Sequence, residues 1–285
     1  MKKPHERSAQ NSTFMRFFVF IAVCFSFGCF SACTIQSSLS NRYLTAEKLW
    51  SEKNYAAAAS EFDRVTKESP NSALGLQALW RASTTRALFL NDDDDALKGF
   101  NTFLERAGSS DLAPQAQKEI GDIYFLKLNQ YGKAIDHYQK LIDSKKFSAD
   151  ENALFQYRIA RSQFLSNHLK KSADAYELLL SQYPNSRYGT RGKLDLAQNW
   201  YAIGDTDKLA YGKALKLFSD VATSERNNPE IRAEAIFGEA EVKEEIDQLE
   251  DAHELYQSIL AVYPAPNVIK IRMFRLEERL KKKRK

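Results

Sequence analysis

Cysteine is nearly missing from this chain: the only three, Cys24, Cys29 and Cys33, fall within the first 33 of 285 residues. Beyond Cys33 no disulfide and no thiolate metal site can form, so the N-terminus has a chemistry the body lacks. Glycine and proline are also scarce, at 11 and 7, too few for the many tight turns of an all-β protein. Long apolar runs are absent. The longest, from Phe17 to Phe30, is about 14 residues, short of the roughly 20 that span a bilayer as a helix. There is no His-Glu-x-x-His zinc pattern, Gly-x-Ser-x-Gly elbow, phosphate loop or dinucleotide fingerprint. The four histidines, His5, His137, His168 and His253, are scattered, so neither catalytic residues, cofactor nor metal is expected. The run Asp92 to Asp95 has the alternation of a calcium loop, but Ala96 replaces the turn glycine and Thr102 the closing Glu. It reads better as the acidic start of a helix.

Charge of one sign is lacking too. The whole chain is +4; residues 1–32 hold four basic and one acidic residue, and Leu280 to Lys285 hold five basic ones, which leaves the body between them near −4. Such a body is no match for nucleic acid. What is present is 44% hydrophobic and 27% charged residues, in Ala-, Leu-, Glu- and Lys-rich stretches that favour packed helices.

The N-terminus has the order of a secretory signal: Lys2, Lys3, Arg7 and Arg16, then the apolar run, then Ser31-Ala32 before Cys33. Met15 is a second possible start. Phe30-Ser31-Ala32-Cys33 resembles the lipobox of bacterial lipoproteins, although Phe30 stands where that family prefers Leu; the alternative is an ordinary cleaved signal. The resemblance implies that Cys33 is acylated and becomes the mature N-terminus. Thr34, where inner-membrane retention would need Asp, implies an outer-membrane location facing the periplasm. Residues 1–32 are then a signal peptide and 33–41 a Ser-rich tether.

The body repeats. A small residue recurs at Ala58, Ala96, Ala134, Ser172, Ala214 and Ala252, at intervals of 38, 38, 38, 42 and 38. Four positions on stands an aromatic: Phe62, Phe100, Tyr138, Tyr176, Phe218 and Tyr256. Three further on stands an apolar residue: Val65, Phe103, Leu141, Leu179, Val221 and Ile259. Offsets of 0, 4 and 7 make one helical stripe. Upstream of each lies a second helical segment with its own small residue, at Ala46, Gly121, Ala160, Ala197 and Ala240, with Thr84 in that place in repeat two. Two amphipathic helices per unit cannot bury both faces alone, so the units must stack. Repeat five carries a longer connection, Gly204 to Tyr211.

This pattern, closed by Pro70, Pro184 and Pro264, resembles the tetratricopeptide repeat family. The resemblance implies an all-α fold: a right-handed superhelix of about six helical hairpins over residues 42–266, capped by a helix over 267–285 whose stripe is Ile269, Met273, Leu276 and Leu280. It further implies a protein-binding scaffold without enzymatic activity, whose first helices line a groove for a peptide or a partner's helix. Carried over by register, the groove residues are Tyr43, Glu47, Trp50, Arg81, Thr85, Lys118, Asp122, Phe125, Tyr157, Arg161, Phe164, Gln198, Tyr201, Phe237 and Glu241. Arg161 is expected to stand free, with Lys118 and Asp122 beside it. Packing against the neighbouring hairpin is the competing role for the aromatics among them. The endings Tyr183-Pro184-Asn185-Ser186 and Tyr263-Pro264 resemble those of the BamD outer-membrane assembly lipoproteins and of the CpoB-type periplasmic coordinators. The partners implied are envelope proteins, either β-barrel assembly components or wall-synthesis proteins, with the membrane reached through the lipid. The basic tail is a solvated end or a contact for anionic lipid or an acidic partner.

Overall fold

The structure, a computed structural model, describes residues 37–225 and 228–283. The signal segment, Cys33 and the start of the tether lie outside the described residues. Thirteen α-helices and no strand are found among those described. The chain divides into two compact units at Ala113 and Pro114.

The first unit holds α1 (residues 37–51), α2 (Tyr55–Glu68), α3 (Ala73–Thr85), a π-helical turn (Arg86–Leu90) and α4 (Asp93–Ala107). The second unit runs through α5 (Ala113–Leu126), α6 (Tyr131–Asp143), α7 (Ala149–Leu165), α8 (Leu169–Gln182), α9 (Gly189–Gly204) and α10 (Leu209–Ser224). It ends with α11 (Pro229–Glu245), α12 (Leu249–Ile259) and α13 (Pro266–Lys283). Odd and even helices make six hairpins, with α13 as an extra first helix packed on α12.

All eighteen residues of the small–aromatic–apolar stripe are buried. Ala58, Phe62 and Val65 pack with Ala46, Ala78 and Ala82, so this stripe touches the first helix of its own hairpin and of the next. Tyr138 and Leu141 pack with Phe155 and Ile159 in the same way. Burial of each large side chain contributes about 1.5–3 kcal/mol, and the small residue sets how closely the backbones approach. Ala134→Leu therefore forces a branched side chain into a fully buried crossing. A loss of about 1–3 kcal/mol is expected in denaturant unfolding. The exposed Lys140→Leu on the same helix should change the midpoint little; equal losses at the two sites would contradict this register.

Five of the six hairpin turns share a backbone solution. Lys53, Asn91, Asn129, Asn167 and Asp247 each lie between first and second helix with φ between 51° and 63°. This left-handed conformation reverses the chain in few residues, and Asn and Asp tolerate it best among residues bearing a Cβ. Asn167→Ala is expected to cost about 1 kcal/mol, whereas Asn167→Gly should be nearly neutral by thermal unfolding. Equal destabilisation by both would show that the side chain, not the backbone angle, matters there.

Four local expectations are corrected. Residues 37–41, read as tether, belong to α1, and Leu39 is buried. In repeat two the small position is Ala82, not Thr84, because the π-helical turn lengthens the first helix of that hairpin. Arg86 in that turn is held by the carboxylates of Asp63 and, at 3.7 Å, Asp92. Thr85, expected in the groove, is buried, with its hydroxyl donating to the Arg81 carbonyl at 2.7 Å. The connection of repeat five is shorter than expected, because α10 already starts at Leu209. Tyr211 lies flat against Gly204, where a Cβ would meet its ring at 2.2 Å. The acidic run behaves as read: Asp92 caps α4, accepting from the Asp95 amide at 3.4 Å, and Asp93, Asp94 and Asp95 fill its first turn.

Candidate partner-binding surface

The first helices carry a row of charges that pair with one another. In the first unit, the Arg81 guanidinium of α3 donates to both Glu47 carboxylate oxygens of α1, at 2.7 and 2.6 Å. It also lies over the Trp50 ring at 4.6 Å from the centroid and within 5.5 Å of Phe62. Tyr43 packs edge-on to Phe62, and burial with the neighbouring Glu47 pushes its hydroxyl up to about 12. Trp50 meets Tyr55 and Phe89, which stack on each other at 4.2 Å.

The second unit repeats the device. Asp122 of α5 accepts from Lys118 at 2.9 Å, from the Tyr138 hydroxyl at 2.8 Å, and from Arg158 of α7. Phe125 packs on Tyr131 and Tyr138, with the Arg158 guanidinium 5.8 Å from its ring. On α7 and α9 the polarity is exchanged: Arg161 of α7 faces Asp195 of α9 at 3.6 Å. Asp195 is only 5% exposed and is also bound by Arg191 at 3.0 Å, the Tyr157 hydroxyl at 2.8 Å and the Tyr176 hydroxyl at 3.2 Å. Burial first, then the Asp195 charge, raises both hydroxyls, that of Tyr157 to about 12. Arg191 reaches on to Glu234 of α11 at 3.0 Å. Glu241 of α11 accepts from Arg272 of α13 at 2.9 Å, and Glu244 from Arg272 and Arg279. Burial, opposed by Arg272, raises the Glu241 carboxyl.

Glu47, Asp122, Arg161 and Glu241 each follow the small residue of their helix, and the opposite charge stands 34, 36, 34 and 31 residues later. Each clasp ties one first helix to the next. Arg161 is therefore not free, and Asp122 answers to Arg158 rather than to Arg161. Among the aromatics, Phe237 stacks on Tyr263 at 4.8 Å, Tyr201 tilts against Tyr211 and Tyr157 stacks on Tyr188. Phe164 lies beneath Arg161 at 5.9 Å. Packing is thus a role all of these share. Gln198 of α9 is exposed.

The register found the near member of each clasp and missed Arg158, Asp195, Arg191, Glu234, Arg272 and Glu244. The signal for most of them was the recurrence of opposite charge at about one repeat length. A separate open hollow of about 500 Å³ lies over Leu196 and Trp200, between Leu180 of α8 and Leu217 of α10, with the Lys213 ammonium 3.7 Å from the Trp200 ring. No cluster of three His, Cys, Asp or Glu able to hold a metal occurs among the described residues.

The match to known proteins lies in the same segment. Residues 155–186, covering most of α7 with α8 and its closing Pro184, match the family described as Tetratricopeptide repeat. The fold is of the tetratricopeptide type. Solved structures that share it include PilW, described as a widely conserved type IV pilus biogenesis factor, and YrrB, described as a tetratricopeptide-repeat protein with an unusual peptide-binding site. PilW is 12% identical, with a TM-score of 0.50 over 79% of this chain and 93% of its own. YrrB is 16% identical, with a TM-score of 0.51 over 74% of this chain and 96% of its own. No curated protein sequence matches the chain. The tetratricopeptide hairpin accounts for the clasps: consecutive first helices lie side by side, so residues one repeat apart come into reach.

Proposed function

We propose that the protein is a non-enzymatic scaffold that receives a peptide or helix of another protein on the first helices of repeats three to five, and that lipid on Cys33 holds it at the periplasmic face of the outer membrane. The observation that carries the scaffold reading is the clasp around Asp195. Its arginines remain part-open, Arg161 being 33% exposed, while two tyrosines hold the carboxylate between them. A charged surface held rigid before a partner arrives loses little side-chain freedom on binding. The Tyr-Pro endings, together with Cys33, favour outer-membrane protein assembly as the pathway.

A photoreactive residue at Gln198, exposed on α9, should crosslink a β-barrel assembly component in intact cells, and one at Lys140 on α6 should not. Equal products at both positions would move the partner off the first helices; recovery of a wall synthase would replace assembly by constriction or wall synthesis as the pathway. Anchoring is tested apart from this. Cys33→Ala is expected to abolish fatty-acid labelling and release the protein from membranes, and a variant that still takes up label and sediments would end the lipoprotein reading.

A further inference from the structure

The helix α13 has two different sides. Ile269 and Leu276 are buried against the α11–α12 core, with Met273 and Leu280 partly buried beside them. At 100° per residue, Val268, Ile271, Phe274, Arg275 and Lys282 fall on the other side. There Val268 is 43% exposed, Ile271 53% and Phe274 63%. Large apolar side chains in a row on one helix, facing away from the core, mark a contact.

Charge narrows the choice. The helix carries seven basic residues against Glu277 and Glu278, a net of +5 in 18 residues, and Arg284 and Lys285 follow in sequence. Arg272, Arg279 and Lys283 turn inward to Glu241, Glu244 and Asp247. Lys281 offsets Glu278 at 2.9 Å, and Glu277 faces His253. Lys270, Arg275 and Lys282 are exposed and form no ion pair among the described residues. They flank the apolar row along its length. A second copy of this chain seated here through the same helix would bring Lys270, Arg275 and Lys282 against the same three cations, which opposes self-association. A surface of anionic headgroups matches both the cations and the short apolar row.

We infer that this face of α13 seats on an anionic phospholipid surface, with Ile271 and Phe274 at the headgroup boundary and Lys270, Arg275 and Lys282 on the phosphates. The contact is separate from Cys33 and adds a second attachment to whatever the N-terminus supplies.

The test uses the full chain with Cys33→Ser and measures co-sedimentation with vesicles of phosphatidylcholine, alone or mixed with phosphatidylglycerol. The mixed vesicles should bind at least tenfold more tightly. Combining Lys270→Gln, Arg275→Gln and Lys282→Gln should remove at least about tenfold of that gain, since each cation near such a surface is worth about fivefold. Phe274→Ser should weaken binding several-fold with all charges kept. Both variants should retain wild-type circular dichroism. The triple variant binding within twofold of the parent would overturn the inference, and so would binding of poly-glutamate, unaffected by Phe274→Ser, without a preference for phosphatidylglycerol; that second pattern would assign the face to an acidic protein.

Discussion

Asp195→Ala is expected to cost about 2–4 kcal/mol of folding stability, more than an ordinary surface carboxylate would. The carboxylate is almost wholly buried; it accepts from Tyr157 of α7, Tyr176 of α8 and Arg191 of α9, and pairs with Arg161 of α7 at 3.6 Å. Removing it leaves the Tyr176 hydroxyl buried without an acceptor, at about 1–3 kcal/mol. The two arginines are part-open and regain water, so the full penalty of a stranded buried cation does not apply. Arg161→Glu should also destabilise, because it sets one carboxylate beside another. That change is unsuited to testing partner binding alone, whereas substitutions at Gln198 are suited to it. Urea unfolding of Asp195→Ala, Arg161→Glu and the exposed control Lys140→Ala would check the order. A loss under about 0.5 kcal/mol at Asp195 would mean that the clasp contributes no more than surface pairs do.

The second expected result is a loss of stability in mild acid. His137 on α6 is half-buried, and its Nδ1 lies within hydrogen-bond reach of the Gln117 side-chain amide of α5. Burial foremost, and the Lys140 charge after it, push the imidazole down to about 4 from its ordinary 6.5, against a smaller opposing effect of Asp136. The folded state therefore keeps His137 neutral while the unfolded chain takes up a proton below 6.5. With a depressed folded value, the contribution is complete above pH 6.5 and is lost as pH falls toward 4. At about 1.4 kcal/mol per pH unit, discounted for partial exposure, the loss across that window is about 2–3 kcal/mol. His137→Gln should lack this dependence. Unfolding free energies of the two proteins, compared at several values between pH 7 and 4, isolate it from the carboxylates common to both. Parallel curves would show that His137 is protonated as easily folded as unfolded.

The clasps also bear on how the site was legible. The near members could be placed because each follows a small residue whose register the buried stripe fixes, as Asp122 follows Gly121. Their partners lie a whole repeat away, and no local pattern says which of several charges at that distance will meet them. Asp122 illustrates this: it is expected beside a free Arg161, but Arg158, three residues earlier on α7, is the residue that reaches it. A shift of one helical turn moves a guanidinium by about 5.4 Å, which is the whole reach of an ion pair.

The sequence alone determined the hairpin, its repetition and the buried stripe. Those rest on short-range periodicity: residues at offsets of 0, 4 and 7 share a helix face whatever surrounds them, and six copies of Ala134, Tyr138 and Leu141 leave no other way to bury it. Cys33 and the order of segments before it are likewise statements of sequence. The tertiary structure alone decided that residues 37–41 are helical, that a π-helical turn moves the small position of repeat two to Ala82, and which arginine clasps which carboxylate. These depend on which neighbour arrives at a given helix face, and that is set by backbone crossings between repeats rather than by the residues nearby in the chain. The capping stripe of α13 was legible from the spacing of Ile269, Met273, Leu276 and Leu280, and the packing of the last hairpin decided only that the apolar Phe274, five residues after Ile269, is left at the surface.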